Sequence, residues 1–155
     1  MRLYRLSKSQ YAEDLSGQGA RRTGGRWNLK GTSVIYTSDS MALATLEALV
    51  HSPLNLIPKN RSITIFELPD PVKTESVAIS QLPENWRSYP PSIELAQRGT
   101  DWVNRGLSSV LQVPSVVIPP GAEWNYLLNP QHADFKKIQI IEIRAYEFDS
   151  RLFNR

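Results

Sequence analysis

Apolar and polar positions alternate with period two at several places along the chain and with a period near 3.6 at two, and this pattern predicts the elements. Arg2 to Leu6 sets Leu3 and Arg5 against Tyr4 and Leu6, a short first strand with a cation on one face. If the sheet is covered on both faces, that guanidinium needs a partner, because an unpaired buried charge is prohibitive. Ser9 to Leu15 reads as a helical turn, and Ser33 to Thr37 as a β-branched strand with Tyr36 near its end. Met41 to His51 is a helix of Met, Ala, Leu and Glu, preceded by several N-cap candidates in Thr37 to Ser40 and stopped near Pro53. Asn60 to Glu67 is a further strand. Prolines at 69, 71, 83, 90 and 91 make Leu68 to Pro91 an irregular surface connection with one short strand at Ser76 to Ile79. Ser92 to Arg105 is a second helix, weakened by Gly99, with Trp102 as a core anchor. Ser108 to Val113 and Ser115 to Ile118 read as strands broken by Pro114, Asn125 to Pro130 as a polar and aromatic loop, and Gln139 to Phe148 as the closing strand. Strands and helices interleave without βαβ spacing, so the expected class is α+β in a single domain, 1–155.

Composition narrows the chemistry. A chain of 155 residues that is 41% hydrophobic can bury one real core. With no cysteine and two histidines far apart in sequence, disulfides and thiolate metal sites are excluded and no metal site is expected. No apolar run approaches the roughly 20 residues needed to span a bilayer, and the first residues lack a secretory h-region, so a cytoplasmic protein without a membrane partner is expected. A net charge of +3 is too small to imply a nucleic-acid partner.

The densest chemistry lies in Gly17 to Asn28, where four glycines, three arginines and one tryptophan fall within twelve residues. Glycines let backbone approach a ligand, arginine forks suit phosphate, and an aromatic adds a stacking face. A solvated basic loop is an equally open reading of that composition. Glu47 adds weight to a ligand site, since its neighbours one turn away are Leu43, Ala44 and Val50 and the helix has few polar residues to define a wet face. Phosphate-loop, dinucleotide-fold and nucleophile-elbow motifs are all missing. An arginine-rich glycine loop, a tyrosine, a carboxylate and the polar pair Ser115 and Asn125 remain, a set able to bind NAD and cleave it. Nicotinamide leaves as a neutral base through an oxocarbenium-like state, so one carboxylate suffices without a metal or a second acid. A tyrosine face can hold the pyridinium by stacking and cation–π attraction of roughly 0.5 to 2 kcal/mol.

Tyr4-Arg5, Leu15-Ser16-Gly17 to Ala20-Arg21, Gly24-Gly25-Arg26-Trp27-Asn28, Val34-Ile35-Tyr36, Leu46-Glu47 to His51, Pro114-Ser115, and Asn125 to Pro130 with His132 together resemble the RES-domain toxins of bacterial Xre-RES toxin-antitoxin systems. The resemblance covers nearly the whole chain. It implies an ADP-ribosyltransferase-like fold with a split, mainly antiparallel sheet, and consumption of NAD as substrate rather than cofactor, by degradation or by transfer of ADP-ribose to a protein. Carried over, Glu47 is the catalytic acid residue, Arg5 and Arg26 anchor NAD, Tyr36 stacks on nicotinamide, and Ser115 with Asn125 lines the site. Arg21 or Arg22 could share the phosphate contacts. The resemblance further implies a cognate Xre-type antitoxin covering the site, and leaves room for a homo-oligomer within that complex. A nucleic-acid binding module, with Arg21, Arg22 and Arg26 on a backbone and Trp27 stacked on a base, is the alternative of another class, and a catalytically silent interaction domain is a third.

Overall fold

The structure is a computed structural model that describes residues 1–153. Seven strands form one sheet: β1 (Arg2–Lys8), β2 (Ile35–Ser38), β3 (Arg61–Glu67), β4 (Thr74–Ser76), β5 (Val110–Pro114), β6 (Trp124–Leu128) and β7 (Gln139–Tyr146). Their order is β4-β5-β6-β2-β1-β3-β7, antiparallel at every junction except β4 with β5. The expected α+β class holds. At the centre, β1 and β2 are joined through one registered pair, Tyr4 with Ser38, so the sheet divides into a half built on β1, β3 and β7 and a half built on β2, β6, β5 and β4.

Alternation along the strands explains why each face of the sheet carries a buried cluster. Val34, Leu111, Val113 and Leu127 join Trp27, Trp86, Leu95, Trp102 and Val103 in one buried cluster, while their chain neighbours Ile35, Val110, Tyr126 and Leu128 join Leu3, Phe66, Leu68 and Ile138 in the other. Helix α3 (Ile93–Arg105) covers the first face, capped by Ser92 and closed by Gly106 in the left-handed region. Trp102 is the expected core anchor, 1% exposed, with its indole Nε1 donating to Ser108 Oγ at 2.8 Å. Helix α2 (Met41–Val50) begins at Ser40, whose hydroxyl accepts from the Leu43 amide, and lies against β1 and β2.

The structure differs from the local expectations at four places. Asn125 to Leu128 is not a loop but most of β6, where Tyr126, Leu127 and Leu128 are buried between β2 and β5. Ser115 to Ile118 is not a strand, because the chain leaves the sheet after Pro114, which brings no amide to a ladder, and folds so that the Val117 amide donates to Ser115 Oγ. The short strand in the proline-rich connection lies at Thr74–Ser76, before the expected position. Gln18–Thr23 forms an unexpected helix α1 inside the glycine-rich loop, while the helical turn expected from Ser9 is present as a 3₁₀ turn, Ser9–Tyr11.

Candidate functional site

Glycine placement shapes the loop that follows α1. Gly25 and Asn28 form a two-residue hairpin, the Gly25 amide donating to the Asn28 carbonyl at 2.9 Å, with Arg26 and Trp27 at its corner. These two corner side chains part company. Trp27 enters the core at 3% exposure, while Arg26 lines a cleft of about 1580 Å³. A Cβ on Gly25 would stand 2.7 Å from the Tyr36 hydroxyl and 2.9 Å from Asn28 Oδ1, so only glycine fits there. Those neighbours are bonded to each other: the Tyr36 hydroxyl donates to Asn28 Oδ1 at 2.7 Å and accepts from the Trp27 amide at 3.0 Å. Asn28, 1% exposed, closes the loop by donating to the carbonyls of Ala20, Leu29 and Thr32. Burial pushes the Tyr36 phenol far above its usual range.

Register then decides which side chains share the cleft. Tyr4 is paired with Ser38 and Ser38 with Asn125, so all three lie on one face together with Tyr36, two residues from Ser38. Helix α2 presents Glu47 to this face. Glu47 Oε1 accepts from Asn125 Nδ2 at 2.6 Å and from Ser115 Oγ at 2.9 Å, and the Ser38 hydroxyl fixes the Asn125 amide by donating to its Oδ1 at 2.8 Å. Among the described residues nothing donates to Oε2. Glu47 is half-buried rather than enclosed, at the wall of the open cleft.

Arg26 reaches the same cleft from the opposite side. Its Nη1 donates to the carbonyls of Trp86 at 2.9 Å and Ser88 at 3.1 Å, which fixes the guanidinium while leaving Nη2 and Nε without protein acceptors among the described residues. Burial lowers its pKa, offset by the negative field of Glu47, with which it makes no ion pair. Lysine in its place would lose both the carbonyl clamp and the planar fork. For Arg26→Lys we expect NAD affinity to fall about tenfold, measured by calorimetric titration; unchanged affinity would remove Arg26 from the ligand site.

Arg5 departs from the expected anchoring role. It belongs to the cleft wall by its position on β1, but it alternates with Tyr4, and its guanidinium stacks 5.4 Å from the Phe66 ring centroid on the opposite side of the sheet. There Nη1 donates to the Asp14 carbonyl at 2.8 Å and Nη2 to those of Ala12 and Tyr11 at 2.9 and 3.1 Å. Both terminal nitrogens are thus engaged on the strap that leads into the glycine-rich loop, and the partner the strand reading demanded is backbone carbonyl, not a phosphate. Arg5→Ala should therefore lower the urea midpoint by the equivalent of roughly 3 kcal/mol. An affinity loss for NAD with stability intact would return Arg5 to the ligand.

Two further expectations lose their footing. Trp27 is enclosed with Trp86 and Trp102, so it offers no face to a base. Arg21 and Arg22 are exposed on α1 and lie outside the cleft lining. Of the histidines, His132 caps a short 3₁₀ helix by accepting from the Asp134 amide, and His51 sits at the cleft edge. Among the described residues no group of three or more His, Cys, Asp or Glu could hold a metal ion, and no helix is long and apolar enough to cross a membrane.

The chain is similar to known proteins over most of its length. A family model described as the RES domain matches residues 2–149. The chain belongs to the RES-domain family. One relative within it, from Sphingobium sp. (strain YBL2), carries the name "Prs ADP-ribosylating toxin" and is 36% identical over 151 residues, covering 96% of this chain and 92% of that protein. A protein named "Toxin Res" from Yersinia enterocolitica is 38% identical over 159 residues, covering 98% of this chain and 99% of its own length. In fold the chain is similar to a chain in the crystal structure of the M. tuberculosis MbcT-MbcA toxin-antitoxin complex, with a TM-score of 0.71 at 18% identity over 99% of this chain and 86% of that one.

Two residues of the RES cleft escaped the sequence reading as functional groups. Asn28 ends the Gly-Gly-Arg-Trp-Asn block, but nothing local marks it as the loop's central acceptor and donor. Ser38 lay among N-cap candidates of which Ser40 proves to be the cap; only the β2–β6 register brings Ser38 to Asn125.

Proposed function

We propose that this chain is the toxin of a toxin-antitoxin pair, and that its cleft binds NAD and breaks the bond between nicotinamide and ribose. The observation that carries the reading is Glu47: one carboxylate oxygen is fixed by Ser115 and Asn125, and the other has no donor among the described residues, beside a cleft that also holds Arg26 and Tyr36. In this mechanism Oε2 accepts a ribose hydroxyl hydrogen bond and faces the positive charge that develops at the anomeric carbon. The remaining Arg26 donors hold the pyrophosphate, and Tyr36, its hydroxyl already fixed by Asn28 and Trp27, offers its ring to the pyridinium. Arg5 acts as a positioning residue, setting the strap that enters the loop. Nicotinamide departs as a neutral base, so no proton donor is required. Depletion of NAD, by water or by inorganic phosphate, then arrests growth.

The relative named for ADP-ribosylation of Prs supports a second reading in which the same site transfers ADP-ribose to a protein. Both readings share the bond broken and differ in the acceptor. Incubation of the purified chain with NAD, with and without phosphate and cell extract, followed by mass spectrometry, separates them: free ADP-ribose, its phosphate ester, or a modified protein. If nicotinamide is not released under any of these conditions, both are wrong. An Xre-type antitoxin is the expected partner, and its binding should compete with NAD.

A further inference from the structure

We propose that Tyr89 and Ile93 hold the adenine end of NAD and so set a preference for the dinucleotide over its nicotinamide half; the inference rests on the proposed function of the cleft. NAD carries two flat ring systems, one at each end of its pyrophosphate, and that function assigns an aromatic face to one of them, the pyridinium on Tyr36. Adenine needs another. Among the described residues, three large apolar side chains of the cleft lining stand exposed: Val50, Tyr89 at 84% and Ile93 at 73%. The Tyr89 ring packs on no other aromatic ring among the described residues.

The order of groups along the cleft decides which of the three adenine meets. Val50 lies on α2, three residues beyond Glu47, at the end where the ribose reacts. Tyr89 and Ile93 lie at the Arg26 end, because the Ser88 carbonyl that accepts from Arg26 belongs to the residue bonded to Tyr89. Followed from the ribose at Glu47 through the pyrophosphate at Arg26, the next part of NAD is its adenosine, and the next face of the wall is Tyr89. The backbone beneath that face is pinned. Trp86 is buried on one side of it and Leu95 on the other, the Ser88 amide donates to the Asn85 carbonyl at 2.9 Å, and Arg87 Nη2 donates to the Val116 carbonyl, beside Ser115, at 3.0 Å. A ring held out on a fixed segment receives a base at little ordering cost, and stacking suits adenine because every base has a π-face. Ile93, the first residue of α3, adds apolar lining to the same stretch of wall.

Calorimetric titration of the full chain with ADP-ribose, which keeps the adenosine and pyrophosphate but has no nicotinamide to lose, tests the contact without turnover; circular dichroism confirms folding. We expect Tyr89→Ala to weaken ADP-ribose binding about tenfold and Ile93→Ala about threefold, while Tyr89→Phe, which keeps the ring, binds like the parent. Cleavage supplies a second readout. The ratio of kcat/KM for NAD to that for nicotinamide mononucleotide should fall about tenfold in Tyr89→Ala and hold in Tyr89→Phe. A parent that binds no ADP-ribose, parent-like affinity in Tyr89→Ala, an unchanged ratio, or a Tyr89→Phe variant as weak as the alanine one would each overturn the proposal. If ADP-ribose binds through Tyr89 but nicotinamide is never released, the adenine subsite stands and the proposed reaction falls; NAD cleavage indifferent to Tyr89 has the opposite meaning.

Discussion

Glu47→Gln is expected to bind NAD nearly as well as the parent and to cleave it on the order of a hundred to a thousand times more slowly. The amide keeps the shape of the carboxylate, and its oxygen can still accept from Ser115 and Asn125, so the local network has a neutral equivalent. What disappears is the negative charge facing the ribose. Because that charge matters chiefly when the anomeric carbon becomes cationic, the loss should fall on kcat rather than on KM. Release of nicotinamide under saturating NAD is the measurement, with thermal denaturation to establish that the variant is folded. A folded variant turning over at the parent's rate would remove Glu47 from the chemistry and leave the cleft without a carboxylate for this reaction.

Gly99→Ala should be the most damaging substitution of one small residue for another in the protein. An added Cβ would stand 1.7 Å from the Trp27 carbonyl oxygen and 2.7 Å from its carbonyl carbon, and neither atom is the end of a flexible side chain. In most helix interiors this exchange is favourable by up to about 1 kcal/mol. Here α3 touches the corner of the arginine loop, and Thr100 beside Gly99 accepts from the Leu29 amide at 3.0 Å. Either the helix shifts away from the loop or the hairpin from Gly25 to Asn28 is displaced. We expect a loss of about 3 kcal/mol or more in urea unfolding, together with weakened NAD binding because Arg26 sits in that hairpin. A variant as stable as the parent would mean that α3 does not press on the loop in solution.

Gly99 also shows where the sequence was legible and where it was not. Read along one helix, a glycine signals only reduced propensity; its reason is another segment about seventy residues earlier in the chain, and nothing local encodes that contact. The longer elements, β1, β3, β7, α2 and α3, were readable because runs of alternating or β-branched residues and runs of good helix formers mark them locally. Strand β6 was not, since Asn125 and Trp124 at its start look like loop chemistry, and its burial comes from flanking strands on both sides. Within the site, Glu47 stood out because a carboxylate without a polar face around it is locally inconsistent, and Arg26 because its glycines announce a close approach. Arg5 was seen as a cation in need of a partner, but the identity of that partner depends on which face of a two-sided sheet it takes. The carbonyls of Trp86 and Ser88 that clamp Arg26 lie in what reads as an uninformative proline-rich connection.

The position of β6 also sets when the protein can become dangerous during its own synthesis. Among the described residues it is the strand that bridges β5 to β2, and it delivers Asn125 to Glu47, so a ribosome-bound chain that has not yet released residue 128 has Arg26, Tyr36 and Glu47 but lacks one of the two donors that fix the carboxylate. The hydrogen bonds that hold Glu47 can be completed only after more than three quarters of the polypeptide has been made. On the proposed function, fragments left by interrupted translation before Asn125 would lack the complete site, and a neutralising partner would need to recognise only the finished fold.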